Sequence, residues 1–219
     1  LRVDALGNLI AIKKTSRSRK SKKLMLAAHM DEIGFVVSHV DDKGLLRLVP
    51  LGGHDPRNMV AQRVTVSGSK KDLPGLLYPG LRPPHIATLA DADRKLTVKD
   101  FIVDLCLPVA RVKREVEVGA MVTIQRDFAE IGDGVSCKAM DNRVALYLMV
   151  RAMQQAKSFG CEVHAVATVQ EEIGLRGAQV GAFGVEPDMG LALDTTLAVD
   201  IPGVPPHEQV TQLGEGAAI

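Results

Sequence analysis

The sequence predicts an α/β fold, a mostly parallel sheet with flanking helices, plus an inserted β-rich domain. Three observations predict it. From Gly134 onward, helical and strand-like segments alternate, which is the grammar of a sheet covered by helices. From about Phe35 to Asp127 the chain reads instead as short β segments punctuated by Pro and Gly. Two further apolar strand-like runs precede that block. With 219 residues the chain can bury one sizeable core or two modest ones. Residues 1–34 and 132–219 are accordingly assigned to the α/β domain and 35–131 to the insert.

The first two runs are Gly7–Ile12 and Leu24–Ala28. Between them Lys13–Lys23 holds seven basic residues in eleven and reads as a loop. In the insert, Phe35–Val40 and Leu45–Val49 flank Asp41-Asp42-Lys43-Gly44, a hairpin signal. Val64–Val66 and Met121–Ile124 continue the β texture, with turns at Pro74-Gly75, Pro79-Gly80 and Pro83-Pro84. In the last third, Asp141–Lys157 is a long helical segment closed by Gly160. Glu162–Val169 is a buried-type strand, Leu175–Phe183 a helix and Met189–Leu193 a further strand.

Composition narrows the classes of function. Apolar residues make up 46% and charged residues 24%, ordinary for a soluble globular chain. A net charge of +1 points to no strongly acidic or basic partner. Trp is absent, and two Tyr and five Phe offer little surface for stacking nucleic-acid bases. No apolar run approaches a membrane span, so no membrane partner is expected. Cys106, Cys137 and Cys161 lie far apart without a CxxC pair, which fits a reducing compartment and a cytoplasmic location. The chain opens at Leu1-Arg2-Val3-Asp4 without an initiator Met and stops at Gly216-Ala217-Ala218-Ile219; both ends read as cuts.

Four motifs with His or acidic residues fall at strand ends or strand–helix junctions. His29-Met30-Asp31-Glu32 follows the second run, and residues two apart in extended chain share a face. A carboxylate beside a metal-bound imidazole fixes its tautomer, so His29 and Asp31 suit a metal site, or else a surface turn. Asp141-Asn142-Arg143 opens the long helix; Asp141 reads equally as an N-cap. Glu171-Glu172 follow a buried strand, where paired acids are costly unless neutralised. Their neighbouring side chains diverge, so one can bind a metal while the other handles a proton. The alternative is a pair of helix-opening acids. Asp194 ends a further apolar strand, the place where open α/β sheets bind ligands. One His and several carboxylates at one sheet edge suit a pair of divalent ions and a hydrolytic centre.

These motifs, His29-Met30-Asp31-Glu32-Ile33-Gly34, Ala139-Met140-Asp141-Asn142-Arg143, Gln170–Gly177 and Leu193-Asp194, resemble the M42 family of metalloaminopeptidases, including its TET and glutamyl aminopeptidases. The resemblance runs from Val3 to Ile219 and takes in Asp4-Ala5-Leu6-Gly7-Asn8, Pro83-Pro84-His85 and Asp200-Ile201-Pro202-Gly203. It implies a zinc-peptidase type catalytic domain acting on peptide substrates with two divalent metal ions, zinc or cobalt. His29, Asp141 and Asp194 would hold one ion. Asp141 would bridge to a second held by Glu172, Glu171 would be the general base, and Asp31 would orient His29. The insert would join subunits into dimers and then a dodecamer, and its short strands offer edges for neighbours to pair with. Asn142 stands where many relatives carry Asp. The family continues past Ile219, where the His completing the Glu172 site lies; His39, His54, His85, His164 and His207 do not sit in its context, and His164 reads as a core or interface residue. Other readings are a deacylase or carboxypeptidase of the same architecture, a glycosidase with paired carboxylates, and a scaffold whose basic loop meets an anionic surface.

Overall fold

The computed structural model describes residues 1–14, 21–88, 94–157 and 160–219. Residues 15–20, the middle of the basic loop, lie outside the described residues. The chain forms two compact units. A sheet unit contains Leu1–Met30, Met140–Val169 and Gly177–Ile219; a barrel unit contains Asp31–Ala139 and Gln170–Arg176.

The sheet unit has five strands: β1 (Arg2–Val3), β2 (Leu9–Lys13), β3 (Lys23–His29), β12 (Glu162–Thr168) and β13 (Met189–Ala192). Their spatial order is β1-β2-β12-β3-β13. β3 pairs in parallel with β12 and β13, whereas β1 with β2 and β2 with β12 are antiparallel. The sheet is therefore mixed and small, not mostly parallel as the sequence suggested. β1 and β2 are joined by the tight turn Asp4–Asn8, and two strands joined by so short a link run antiparallel. Only nine residues separate β2 from β3, fewer than a parallel crossover needs, so β2 runs opposite to β3 and pairs antiparallel with β12. Asp4 Oδ1 accepts the backbone N–H groups of Leu6, Gly7 and Asn8 at 3.0, 3.1 and 3.0 Å.

Strand alternation gives each face of the sheet its own small core. On one face Ile10, Met25 and Val166 pack with Val185 of α3 (Arg176–Val185). On the other, Ala28 and Ala165 pack with Ala145 and Met149 of α2 (Met140–Gln155). β12 is buried along almost its whole length, as a central strand between two covered faces must be. His164 is buried within it, its Nε2 2.7 Å from Glu162 Oε1. It is a core histidine.

In the barrel unit, six strands close on themselves in the order β4-β5-β8-β7-β6-β9. They are β4 (Gly34–Val40), β5 (Leu46–Leu51), β6 (Gln62–Ser67), β7 (Asp72–Pro79), β8 (Phe101–Asp104) and β9 (Met121–Ile124). Every pairing is antiparallel. Inward positions alternate along β7, where Leu73, Gly75 and Leu77 are buried between exposed neighbours. Phe35, Val37, Leu46, Val64, Leu77 and Val103 fill the interior with no accessible surface, and Val112 of α1 (Val109–Glu115) joins them. A separate ribbon pairs β10 (Ala129–Ile131) with β11 (Gly134–Ser136). Closure removes the free strand edges expected of this block. Any association through the barrel has to use side-chain faces instead.

Among the described residues no helix is long and apolar enough to cross a membrane. All three cysteines are free thiols.

The Asp4 turn makes a prediction about acid stability. Burial alone would raise the Asp4 pKa, but hydrogen bonds from the Asn8 side chain and from the N–H groups of Asn8, Leu6 and Gly7 outweigh it and hold the carboxyl below its ordinary value. A depressed folded pKa contributes stability that is present above the unfolded value, about 3.9, and is lost as pH falls through the folded one. Asp4→Asn should therefore be less stable than wild type at neutral pH in urea unfolding, with the difference shrinking on acidification. An equal difference at every pH would contradict it.

Candidate metal centre

Two clusters of the motif residues form, one within each unit. In the sheet unit His29 is the last residue of β3, opposite Thr168 of β12 in the parallel register. Its side chain is only 2% exposed, and its Nε2 lies 3.0 Å from Asp141 Oδ1 and 3.9 Å from Asp194 Oδ1.

The three residues converge for local reasons. Asp141 and Asn142 have non-helical backbone angles, so the regular part of α2 begins after them and the Asp141 carboxylate is turned toward the imidazole. Asp194 follows β13, whose parallel register with β3 is extended by Leu193 N–H donating to the Ala27 carbonyl at 2.8 Å. The Asn142 amide donates to the Leu193 carbonyl at 2.8 Å and ties the start of α2 to the end of β13. Arg143 Nε donates to the Met30 carbonyl at 3.3 Å, just past the end of β3.

In the barrel unit, the segment Gln170–Arg176 presents Glu171 and Glu172. Both Asp31 oxygens accept from it: Oδ1 from the Glu171 N–H and Oδ2 from the Glu172 N–H, each at 3.2 Å. Asp31 thus anchors the paired glutamates, a part its place beside His29 in sequence did not suggest. The segment turns back on itself, with Gly174 and Leu175 N–H donating to the Glu171 carbonyl at 3.0 and 2.9 Å. Lys138 Nζ pairs with Glu32 Oε1 at 2.8 Å.

Gly52 is a residue that sequence reasoning missed. Its φ of +79° favours glycine, and a Cβ there would lie 2.6 Å from Ile33 Cγ2 and 3.0 Å from Glu172 Oε2. Its only signal in the sequence is the Gly52-Gly53 pair, which reads as ordinary turn punctuation. His54 is held as a structural group, stacked on Phe35 at 4.2 Å with its Nε2 2.9 Å from the Gly34 carbonyl oxygen.

The donor set of the sheet unit fits a metal ion. One buried imidazole nitrogen faces two carboxylate oxygens, and it can share a proton well with only one of them. A cation between them would satisfy the nitrogen lone pair and both acids together.

Comparison with known proteins decides the family. The profile of the M42 glutamyl aminopeptidases matches residues 7–219. The chain belongs to the M42 family. A putative aminopeptidase of Acetivibrio thermocellus is 38% identical over all of this chain and 62% of its own length. The solved aminopeptidase APDkam598 of Desulfurococcus kamchatkensis superposes with a TM-score of 0.88 at 36% identity, over 98% of this chain and 58% of that one. The TET1 peptidase of Pyrococcus horikoshii, described as assembling into a tetrahedron or a large octahedral shell, gives a TM-score of 0.73 at 28% identity, over 91% of this chain and 61% of that one. The chain thus spans about three fifths of the M42 relatives it matches.

The close approach at Gly52 makes Gly52→Ala informative. The added methyl must push Ile33 or Glu172 aside in a left-handed backbone, so a stability loss of about 1 kcal/mol or more is expected. In denaturant melts of the variant, a stability equal to wild type would show that this contact constrains nothing.

Proposed function

We propose that this chain carries the hydrolytic centre of a dinuclear metal-dependent aminopeptidase that removes the N-terminal residue from peptides. The observation that carries the reading is the convergence of Asp141 and Asp194 on the buried His29 nitrogen in a member of the M42 family. His29, Asp141 and Asp194 would hold one divalent ion, and Asp141 and Glu172 would take part in holding a second. Glu172 follows Thr168, the register partner of His29, by four residues, a reach of at most about 14 Å. Mixed nitrogen and oxygen donors of this kind suit zinc or cobalt. Bound there, the ions would make water a stronger nucleophile and polarise the scissile carbonyl.

The chain's own residues supply the rest. Glu171 accepts the proton of the attacking water and returns it to the leaving amine. Adjacent residues in extended chain direct their side chains to different sides, which would let Glu172 ligate while Glu171 transfers the proton. Asp31, which anchors the N–H groups of both glutamates, keeps that division in place and also orients His29. The three free thiols agree with a reducing, cytoplasmic setting. The protein would assemble into dimers and then a dodecamer through the outer faces of the barrel unit, a reading supported by the TET1 relative, which can form a tetrahedron or a large octahedral shell.

Glu171→Gln should lower turnover of an aminoacyl-arylamide by roughly a hundred- to ten-thousand-fold with bound metal unchanged. Glu172→Gln should instead lose metal, measured by elemental analysis after dialysis. More than about a tenth of wild-type activity in the first variant, far above what loss of a general base leaves, would sink the assignment of the base. Equal metal content in both would contradict the division of labour.

Sedimentation tests the assembly separately. The protein is expected to sediment as a large oligomer at micromolar concentration, and a strict monomer would overturn the shell while leaving the site untouched.

A further inference from the structure

Asn8 lies more than a hundred residues from Glu171 in sequence, yet it is fully buried and its side-chain amide is committed at both ends. Nδ2 donates to Asp4 Oδ2 at 2.6 Å and to the Gly177 carbonyl at 2.8 Å. Oδ1 accepts the Val169 N–H at 3.0 Å. The Val169 carbonyl in turn accepts the Gly177 N–H at 2.9 Å. Val169 is where the chain leaves the sheet unit, and Gly177 is where it returns. One side chain therefore clasps both feet of the excursion Gln170–Arg176.

The clasp is tight. A Cβ at Gly177 would lie 2.1 Å from the Val169 carbonyl oxygen and 2.6 Å from Asn8 Oδ1, so no other residue fits there. The excursion needs such a hold, because Gln170 and Leu175 adopt φ of +57° and +58° without being glycine. Each such residue costs of order 1 kcal/mol and persists only where its surroundings over-determine the backbone.

We infer that Asn8, itself oriented by Asp4, is a positioning residue for Glu171 and Glu172. By fixing the separation of Val169 and Gly177, it keeps the excursion in its strained path and the two carboxylates in place. Without the clasp the backbone relaxes toward ordinary angles and the carboxylates move. The inference rests on the proposed roles of Glu171 and Glu172, and its test is built to separate the two.

Asn8→Leu keeps an apolar side chain of similar size but removes the donors to Asp4 and Gly177 and the acceptor for Val169. Asp4→Asn is a gentler second variant should the first fail to fold. Val185→Ala, in the apolar core on the same side of the sheet, serves as a control that destabilises without touching the clasp. In the metal-free protein, amide exchange of residues 170–176 should be about tenfold faster in the clasp variants, since a released loop opens locally, and unchanged in Val185→Ala. With saturating metal and well below each melting temperature, kcat should fall roughly ten- to a hundredfold in the clasp variants, with KM changed less than about twofold.

Unchanged exchange in the clasp variants overturns the inference. So does faster exchange accompanied by a kcat no lower than that of Val185→Ala, because the clasp would then be merely structural. If the wild-type protein hydrolyses no arylamide with either metal, the aminopeptidase reading fails, and so does the clasp's catalytic part. The exchange comparison still decides whether Asn8 holds the loop.

Discussion

A histidine nitrogen buried at the end of a strand has to be satisfied by something, and the sheet unit is arranged around that need. Leaving a buried polar atom without a partner costs about 1–3 kcal/mol. His29 Nε2 meets it with Asp141 Oδ1 at 3.0 Å, while Asp194 Oδ1 stands 3.9 Å away, and both acids come from positions more than a hundred residues downstream. Asp194 arrives because β13 runs parallel to β3, so that their carboxyl ends share one edge, and Asp141 because the start of α2 is tied to the end of β13 through Asn142 and the Leu193 carbonyl. Had β13 run antiparallel to β3, Asp194 would leave from the opposite edge. The parallel part of the sheet is what makes the site, and the antiparallel β1 and β2 extend the core behind it.

Much of this was legible in sequence because its signals are local. A His or an acid just after an apolar run marks a strand end, and His29, Glu171, Glu172 and Asp194 all stand at or shortly beyond one. The hairpin over Asp41–Gly44, the strand from Glu162 and both long helices are likewise set by neighbouring residues. Non-local pairings were not legible. β12 inserts between β2 and β3 by pairing Val166 with Ile10, and nothing near either residue announces that partner. The same blindness hid the closure of the barrel, where β4 meets β9 across most of the insert. Strand texture alone suggested edges in strands that, among the described residues, close into a barrel. The role of Asp31 toward the Glu171 and Glu172 amides was hidden for the same reason, since it is a contact between segments 140 residues apart.

Gly52, Asn8 and Gly177 teach a related lesson about small residues. Asn8 and Gly177 enter the sequence reading only as members of motifs and Gly52 not at all, yet each sits where something larger or differently shaped would displace an acid or its support. The glycines matter through what is absent, a Cβ, and the asparagine through having a donor and an acceptor on one short side chain. Such roles depend on the third dimension and leave no periodic trace.

Asn142 closes the argument about the site itself. Family resemblance makes it a departure, an amide where many relatives have an acid, tolerated because the bridging role would fall to Asp141. The structure gives the amide a task of its own. Asn142 is fully buried, and its Nδ2 donates to the Leu193 carbonyl at 2.8 Å. An ionised carboxylate there would present only acceptors to that carbonyl, and would add an uncompensated charge where the amide oxygen already has no hydrogen-bond partner among the described residues. Since Leu193 immediately precedes Asp194 and Asn142 immediately follows Asp141, this one bond holds the backbones of both His29-facing acids together. An acid at this position would need a proton or a cation to do the same, whereas the amide does it neutral.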